Sequence, residues 1–95
     1  MGAKNMIQPT VGRVVHFYPG KVHALSRYSG PMAAIITHVW NDGMVNVAVF
    51  DPNGETNGVT SVELHQPADT PVVHGGFWCE WPPHVKAITG NEKMI

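Results

Sequence analysis

Apolar residues in this chain recur at every second position, in short segments separated by turn-forming residues. The clearest segment is MVNVAVF, residues 44 to 50. There Val45, Val47 and Val49 share one face, and Met44, Asn46, Ala48 and Phe50 the other. Successive side chains on a pleated backbone point to opposite sides, so this pattern predicts a strand with one buried face. Four other runs read as strands: VGRVVHFY from Val11 to Tyr18, MAAIITHVW from Met32 to Trp40, GVTSVEL from Gly58 to Leu64, and FWCEW from Phe77 to Trp81. In the fourth run Val62 and Leu64 point inward, Ser61 and Glu63 outward. Helical signals are weak, because β-branched residues dominate the periodic segments.

The punctuation is equally local. Asn41-Asp42-Gly43 predicts a tight hairpin in which Asp-Gly supplies positive φ. Asp51-Pro52-Asn53-Gly54 predicts a second turn, with proline presetting one φ and Asn-Gly tolerating the left-handed region. A long connection runs from Pro19 to Pro31, and a polar one separates the fourth run from the fifth. The expectation is an all-β fold, either a small five-stranded SH3-like barrel or a strongly twisted antiparallel meander completed by a second copy. Closure removes exposed edges, which suits many short strands. The 95 residues form one domain, with a flexible segment at 1–9, a β core at 10–82 and a tail at 83–95.

Charge narrows the function classes. Charged residues make up 14% of the chain, against about 25% in an average soluble domain. Either another copy or a partner covers part of the surface, or neutral polar residues make it up. Net charge is −1, and Lys4, Arg13, Lys21, Arg27, Lys86 and Lys93 are scattered. Such a chain lacks the basic field that tracks a phosphate backbone, so extended nucleic acid is not the expected partner. One or two of these residues suffice for a single phosphate group. A single cysteine, Cys79, allows no intrachain disulfide and fits a reducing compartment. The longest apolar stretch, Met32 to Trp40, is shorter than the ~20 residues of a membrane span. The first ten residues lack a signal-peptide core, so the expectation is a cytoplasmic protein.

Aromatic and polar residues gather at predicted strand ends. His16 and Tyr18 close the first strand, Trp40 and Asn41 the second, and Trp78 and Trp81 lie on the fifth. In a small barrel, rings at the mouth can stack a planar ligand while amides read its edge. The alternative is that the large rings fill the core. Arg13 shares a face with Val11, Val15 and Phe17, so it must pair with an acid such as Asp42, Glu63 or Glu80, or meet an anionic ligand. Lys21 and Arg27 in the first connection are further anion contacts, unless that connection is simply a solvated loop.

The six histidines and Cys79 show none of the usual metal spacings, so neither metal nor cofactor is expected. His38 reads as a hydrogen-bonded structural histidine. Cys79, between Phe77 and Trp81 in the alternation, reads as a buried, inert thiol. No nucleophile elbow, phosphate loop or HExxH motif occurs, and a non-enzymatic role is expected.

Three segments, PTVGRVVHFY, AAIITHVWNDGMVNVAVFDPNG and GGFWCEWPPHV, together resemble a family of small phage and prophage proteins. Members carry a P-T-V-G-R-[IV]-V-H-Y opening, an A-A-I-[IV]-T block and a closing G-G-T-W-x-W-P. The likeness spans roughly Pro9 to Val85, and the chain departs from it by one extra residue between Trp78 and Trp81. The resemblance implies a viral accessory product and brings no agreed activity with it. By analogy of setting, the expectation is a homo-oligomeric sponge in the host bacterial cytoplasm. It would sequester a small anionic nucleotide-type messenger of antiviral defence. Two alternatives stay open: a protein-binding module (a virion component or an inhibitor of a host protein), or a small nucleotide hydrolase.

Overall fold

The computed structural model describes residues 6–21, 23–28, 30–66 and 76–83. Its strands are β1 (Val14–Tyr18), β2 (Met32–Asn41), β3 (Met44–Phe50), β4 (Thr56–His65) and β5 (Trp78–Glu80). A turn of 3₁₀ helix, Ala24–Arg27, sits inside the long first connection. The strands close into one barrel in the order β1-β2-β3-β4-β5. Neighbours are antiparallel except β4 and β5, which run parallel, and β5 closes the ring by pairing antiparallel with β1. Of the two architectures the pattern allows, the closed barrel is the one that forms.

Alternation fills the interior. Val15 and Phe17 of β1, Ala34 and Ile36 of β2, Val45, Val47 and Val49 of β3, Val62 of β4 and Cys79 of β5 are almost wholly sealed from solvent. Each buried Val or Ile contributes about 1.5–3 kcal/mol relative to exposure. Leu25 of the 3₁₀ turn is also buried, which pins the first connection onto the core.

Closing so few strands demands sharp local twist, and bulges supply it. Val59 and Val62 both point inward although three residues separate them. Val45 pairs with Val62 and Val47 with Val59, so β4 carries one residue more than β3 across this step. The strain falls on Ser61, whose φ is 55°. Its N–H donates to Asn46 Oδ1 at 2.7 Å, replacing the ladder bond that the bulge disrupts. Strand β2 shifts register twice against β3, between Ile36 and His38 and between Val39 and Asn41. These shifts turn His38 outward, where it is exposed and meets Trp40 edge-on at 4.4 Å; the contact seen in place of the expected hydrogen bond is this ring contact.

Two local expectations are corrected. Neither Asp42 nor Gly43 takes positive φ. Asn41 Oδ1 instead accepts the Gly43 N–H at 2.8 Å, an Asx turn that closes the hairpin without left-handed backbone. Strand β1 begins at Val14 rather than Val11, because residues 10–13 form a turn with Gly12 at φ 97°. The second turn follows its sequence logic: Asp51 Oδ1 accepts from Asn53 N–H and Glu55 N–H at 2.9 and 3.0 Å, and Gly54 takes φ 85°.

Gln66 fastens one end of the barrel. Its Oε1 accepts from Ile7 N–H at 2.9 Å and from Trp81 Nε1 at 3.0 Å. Its Nε2 donates to the carbonyls of Ile7 and Asp42 at 3.0 and 3.1 Å. Ile7 was expected in a flexible leader, and this amide ties it down; Pro9 behind it is buried. Gln66→Leu keeps the volume and strands the buried partners at a cost of about 1–3 kcal/mol for each group left unmet. Urea unfolding should show a loss of about 3 kcal/mol or more. A loss below about 1 kcal/mol would mean that water replaces the amide.

Candidate ligand-binding groove

In β1 and β5 the inward residues Phe17 and Cys79 face each other, so their neighbours Tyr18 and Trp78 are directed outward as a cross-strand pair. Their rings stack at 4.1 Å with planes 10° apart. His65 of β4 stacks on the same indole at 4.5 Å and 12°. Since β1 and β4 flank β5 on opposite sides, Tyr18 and His65 cover opposite faces of Trp78. Trp78 is therefore fixed and has no free face for a ligand; only its edge is open. The Tyr18 hydroxyl donates to Glu80 Oε2 at 2.9 Å. Burial first, then this hydrogen bond and the Glu80 charge, push its pKa up to about 12. His65 Nε2 lies 3.6 Å from Glu63 Oε1.

The Tyr18 end of this three-ring stack opens onto a groove of about 370 Å³, lined in part by Tyr18, Pro19, Lys21, Ser26, Tyr28 and the edge of Trp78. That volume lies at the small end of ligand pockets, roughly 300–1,000 Å³. Its far wall is built by the first connection. Gly20, at φ 70°, turns the chain away from β1. His23 Nδ1 accepts the Leu25 N–H at 3.0 Å and so caps the 3₁₀ turn. The same imidazole packs edge-on against Phe17 and Phe77 at 5.6 and 5.3 Å. This part of the connection is anchored, not a bare solvated loop. Arg27 lies over the Tyr28 ring at 4.8 Å and donates from Nη2 to its hydroxyl at 3.3 Å, which places a second cation beside the groove.

The sequence candidates divide accordingly. Tyr18, Lys21 and Trp78 line the groove, and Arg27 borders it through Tyr28. The others lie elsewhere. Trp81 is buried and serves Gln66. Arg13 is exposed, with its guanidinium 4.9 Å from the Trp81 ring centre. Among the described residues no carboxylate pairs with it, so the expected ion pair with Asp42, Glu63 or Glu80 is replaced by a cation–π contact. Trp40 is 57% exposed at the far end of β2, its Nε1 donating to Asn46 Oδ1 at 2.9 Å. Asn41 is spent on its turn. His16 is half-buried opposite Glu80. Pro19, Gly20, Ser26, Tyr28 and Gly30 also line the groove and are not among the expected contacts. No spacing marks them, because they reach the groove only through the fold of the connection.

Among the described residues, no cluster of three His, Cys, Asp or Glu is placed to hold a metal ion. Cys79 is buried as expected, and burial, then the nearby Glu80 charge, push its thiol up to about 12. The groove therefore offers rings, a hydroxyl and cations, chemistry suited to holding a planar anion.

The two raised groups set a pH dependence. Cys79 keeps its proton to about 12 in the fold against 9.0 ordinarily, and Tyr18 to about 12 against 10.0. Above pH 9 the unfolded chain binds fewer protons than the folded one, so stability is complete below that pH and falls as pH rises toward 12. Urea titrations from neutral to alkaline pH should show this decline beginning near pH 9. Cys79→Ala should flatten its first part, where the thiol alone ionises in the unfolded chain. A flat profile in the native chain would contradict both assignments.

No protein-family model, curated protein or solved structure matches this chain.

Proposed function

We propose that the protein is a phage-borne, non-enzymatic binding domain that sequesters a small anionic nucleotide-type molecule. The observation that carries this reading is one groove combining a rigid aromatic wall, Tyr18 backed by Trp78, with Tyr28, Lys21 and Arg27. Tyr18 has one ring neighbour among the described residues, so its second face is left for a base to extend the stack. Stacking of that kind is worth about 1–3 kcal/mol per base and tolerates many ring systems. Lys21 supplies a charge for phosphate. Arg27, already forked against Tyr28, supplies a planar donor set suited to two oxygens. Glu80 holds the Tyr18 hydroxyl and disfavours an anion on its own side, so the phosphate belongs with the cations of the connection. The volume admits one ring system with its phosphate more readily than two nucleotides. The motif resemblance to phage proteins supplies the setting, the cytoplasm of an infected bacterium.

Isothermal titration of the purified protein against nucleotides, cyclic nucleotides and nucleotide-derived messengers tests the reading. At least one should bind. Tyr18→Ala and Lys21→Glu should each weaken that ligand by about tenfold or more, a loss of ~1.4 kcal/mol, while Trp40→Ala and Arg13→Ala leave it unchanged. Mass spectrometry of the mixture after denaturation should return the ligand intact. Silence across the panel would remove the proposal, and recovery of a cleaved product would replace sequestration with hydrolysis.

A further inference from the structure

Two tyrosines line the groove, and their hydroxyls have opposite polarity. A phenol has one proton to give and an oxygen that accepts. Tyr18 gives its proton to Glu80 Oε2 at 2.9 Å. Toward a ligand that oxygen can only accept, and a carboxylate stands beside it. Tyr28 is the reverse. Its oxygen accepts from Arg27 Nη2 at 3.3 Å, and among the described residues no group accepts its proton. The Tyr18 hydroxyl therefore repels the oxygens of an anion, and the Tyr28 hydroxyl offers them an O–H.

Packing does not account for the Tyr28 hydroxyl. The ring is half-buried against the core. The backbone N–H donates to the Leu25 carbonyl at 3.0 Å and caps the 3₁₀ turn. Both tasks need only the ring and the main chain, which phenylalanine would also supply. The hydroxyl adds the bond to Arg27, whose guanidinium lies over the ring at 4.8 Å. A hydrogen bond received by the oxygen polarises the O–H and makes it a better donor.

The charges at this end set the class of anion. Lys21 lines the groove, Arg27 borders it through Tyr28, and none of the described lining residues is acidic. Two cations match a phosphate monoester, which carries about −1.5 to −2 at pH 7 and presents three acceptor oxygens. A cyclic phosphodiester carries a single negative charge and leaves one cation unmatched. We infer that Tyr28 is the specificity residue of this groove: its O–H, held by Arg27, donates to a phosphate monoester. It thereby selects a nucleoside monophosphate over the cyclic diester of the same nucleoside. This rests on the nucleotide reading and narrows it. The base stacks on the face of Tyr18 away from Trp78, and the phosphate lies against Tyr28, Lys21 and Arg27.

Isothermal titration of the full chain with the nucleoside, its 5′-monophosphate and its 3′,5′-cyclic monophosphate, for each of adenine, guanine, cytosine and uracil, tests it. In a series that binds, the monophosphate should bind about tenfold or more tighter than the cyclic ester. Tyr28→Phe should cut that ratio by about threefold or more while leaving the nucleoside's affinity and the protein's thermal midpoint unchanged. A tyrosine with only a structural role would weaken all three ligands alike. Arg27→Gln removes one charge and leaves the Tyr28 ring in place, and it should cut the ratio in the same direction. A cyclic ester that binds as tightly as the monophosphate, or a ratio that survives Tyr28→Phe intact, overturns this inference and leaves the nucleotide reading standing. Silence in all four series also overturns it, and the wider panel of nucleotide-derived messengers then decides the nucleotide reading by itself.

Discussion

Closure is the constraint on which this molecule depends, and a single amide fastens it. Five short strands around a valine-lined interior have little to hold the ring shut, because β5 contributes only three residues and meets β4 in the parallel sense. Gln66 lies just beyond β4, where the Asp42 turn, the incoming Ile7 and the outgoing Trp81 converge. It fills both donor and both acceptor positions of its amide. A fully met buried amide is directional in a way that apolar contact is not. It therefore sets which residues lie opposite one another at the seam, and that register carries Tyr18 to Trp78.

The consequence at the groove is geometric. Tyr18 and Glu80 are 62 residues apart in sequence and 2.9 Å apart through their hydrogen bond. The Tyr18–Trp78–His65 stack spans β1, β5 and β4, so it exists only in the closed ring. Its rigidity follows from the same fact, since three strands must move together to tilt one ring. A preformed wall loses less freedom on binding than loose side chains would.

The legibility of these features in the amino-acid pattern tracks how local each one is. The strand of Val45, Val47 and Val49 is written in seven adjacent residues, and it forms as read. The outward placement of Trp78 follows from the inward placement of Cys79 beside it, which also consigns Trp81 to the interior. The bulge at Ser61 is harder. Its signature is an inward Val59 and an inward Val62 at a spacing that alternation treats as error. The Gly12 turn and the Asn41 cap are local, yet they compete with equally plausible strand and positive-φ readings. Beyond reach altogether were the parallel β4–β5 closure and the joining of Tyr28 to Tyr18 in one groove. Both depend on contacts that only the assembled ring creates.

The distribution of charge bears on the groove. A small domain with few ionised residues must place them where they matter for solubility or recognition. Here Lys21 and Arg27 stand beside the groove, Glu63 and Glu80 attend the ring stack, and the remaining described charges occupy turns. Strands β1, β2 and β3 carry no Asp, Glu, Lys or Arg. Solubility alone would favour spreading charge evenly around the barrel. Concentrating cations beside the rings gives the proposed ligand site the charge that phosphate recognition requires.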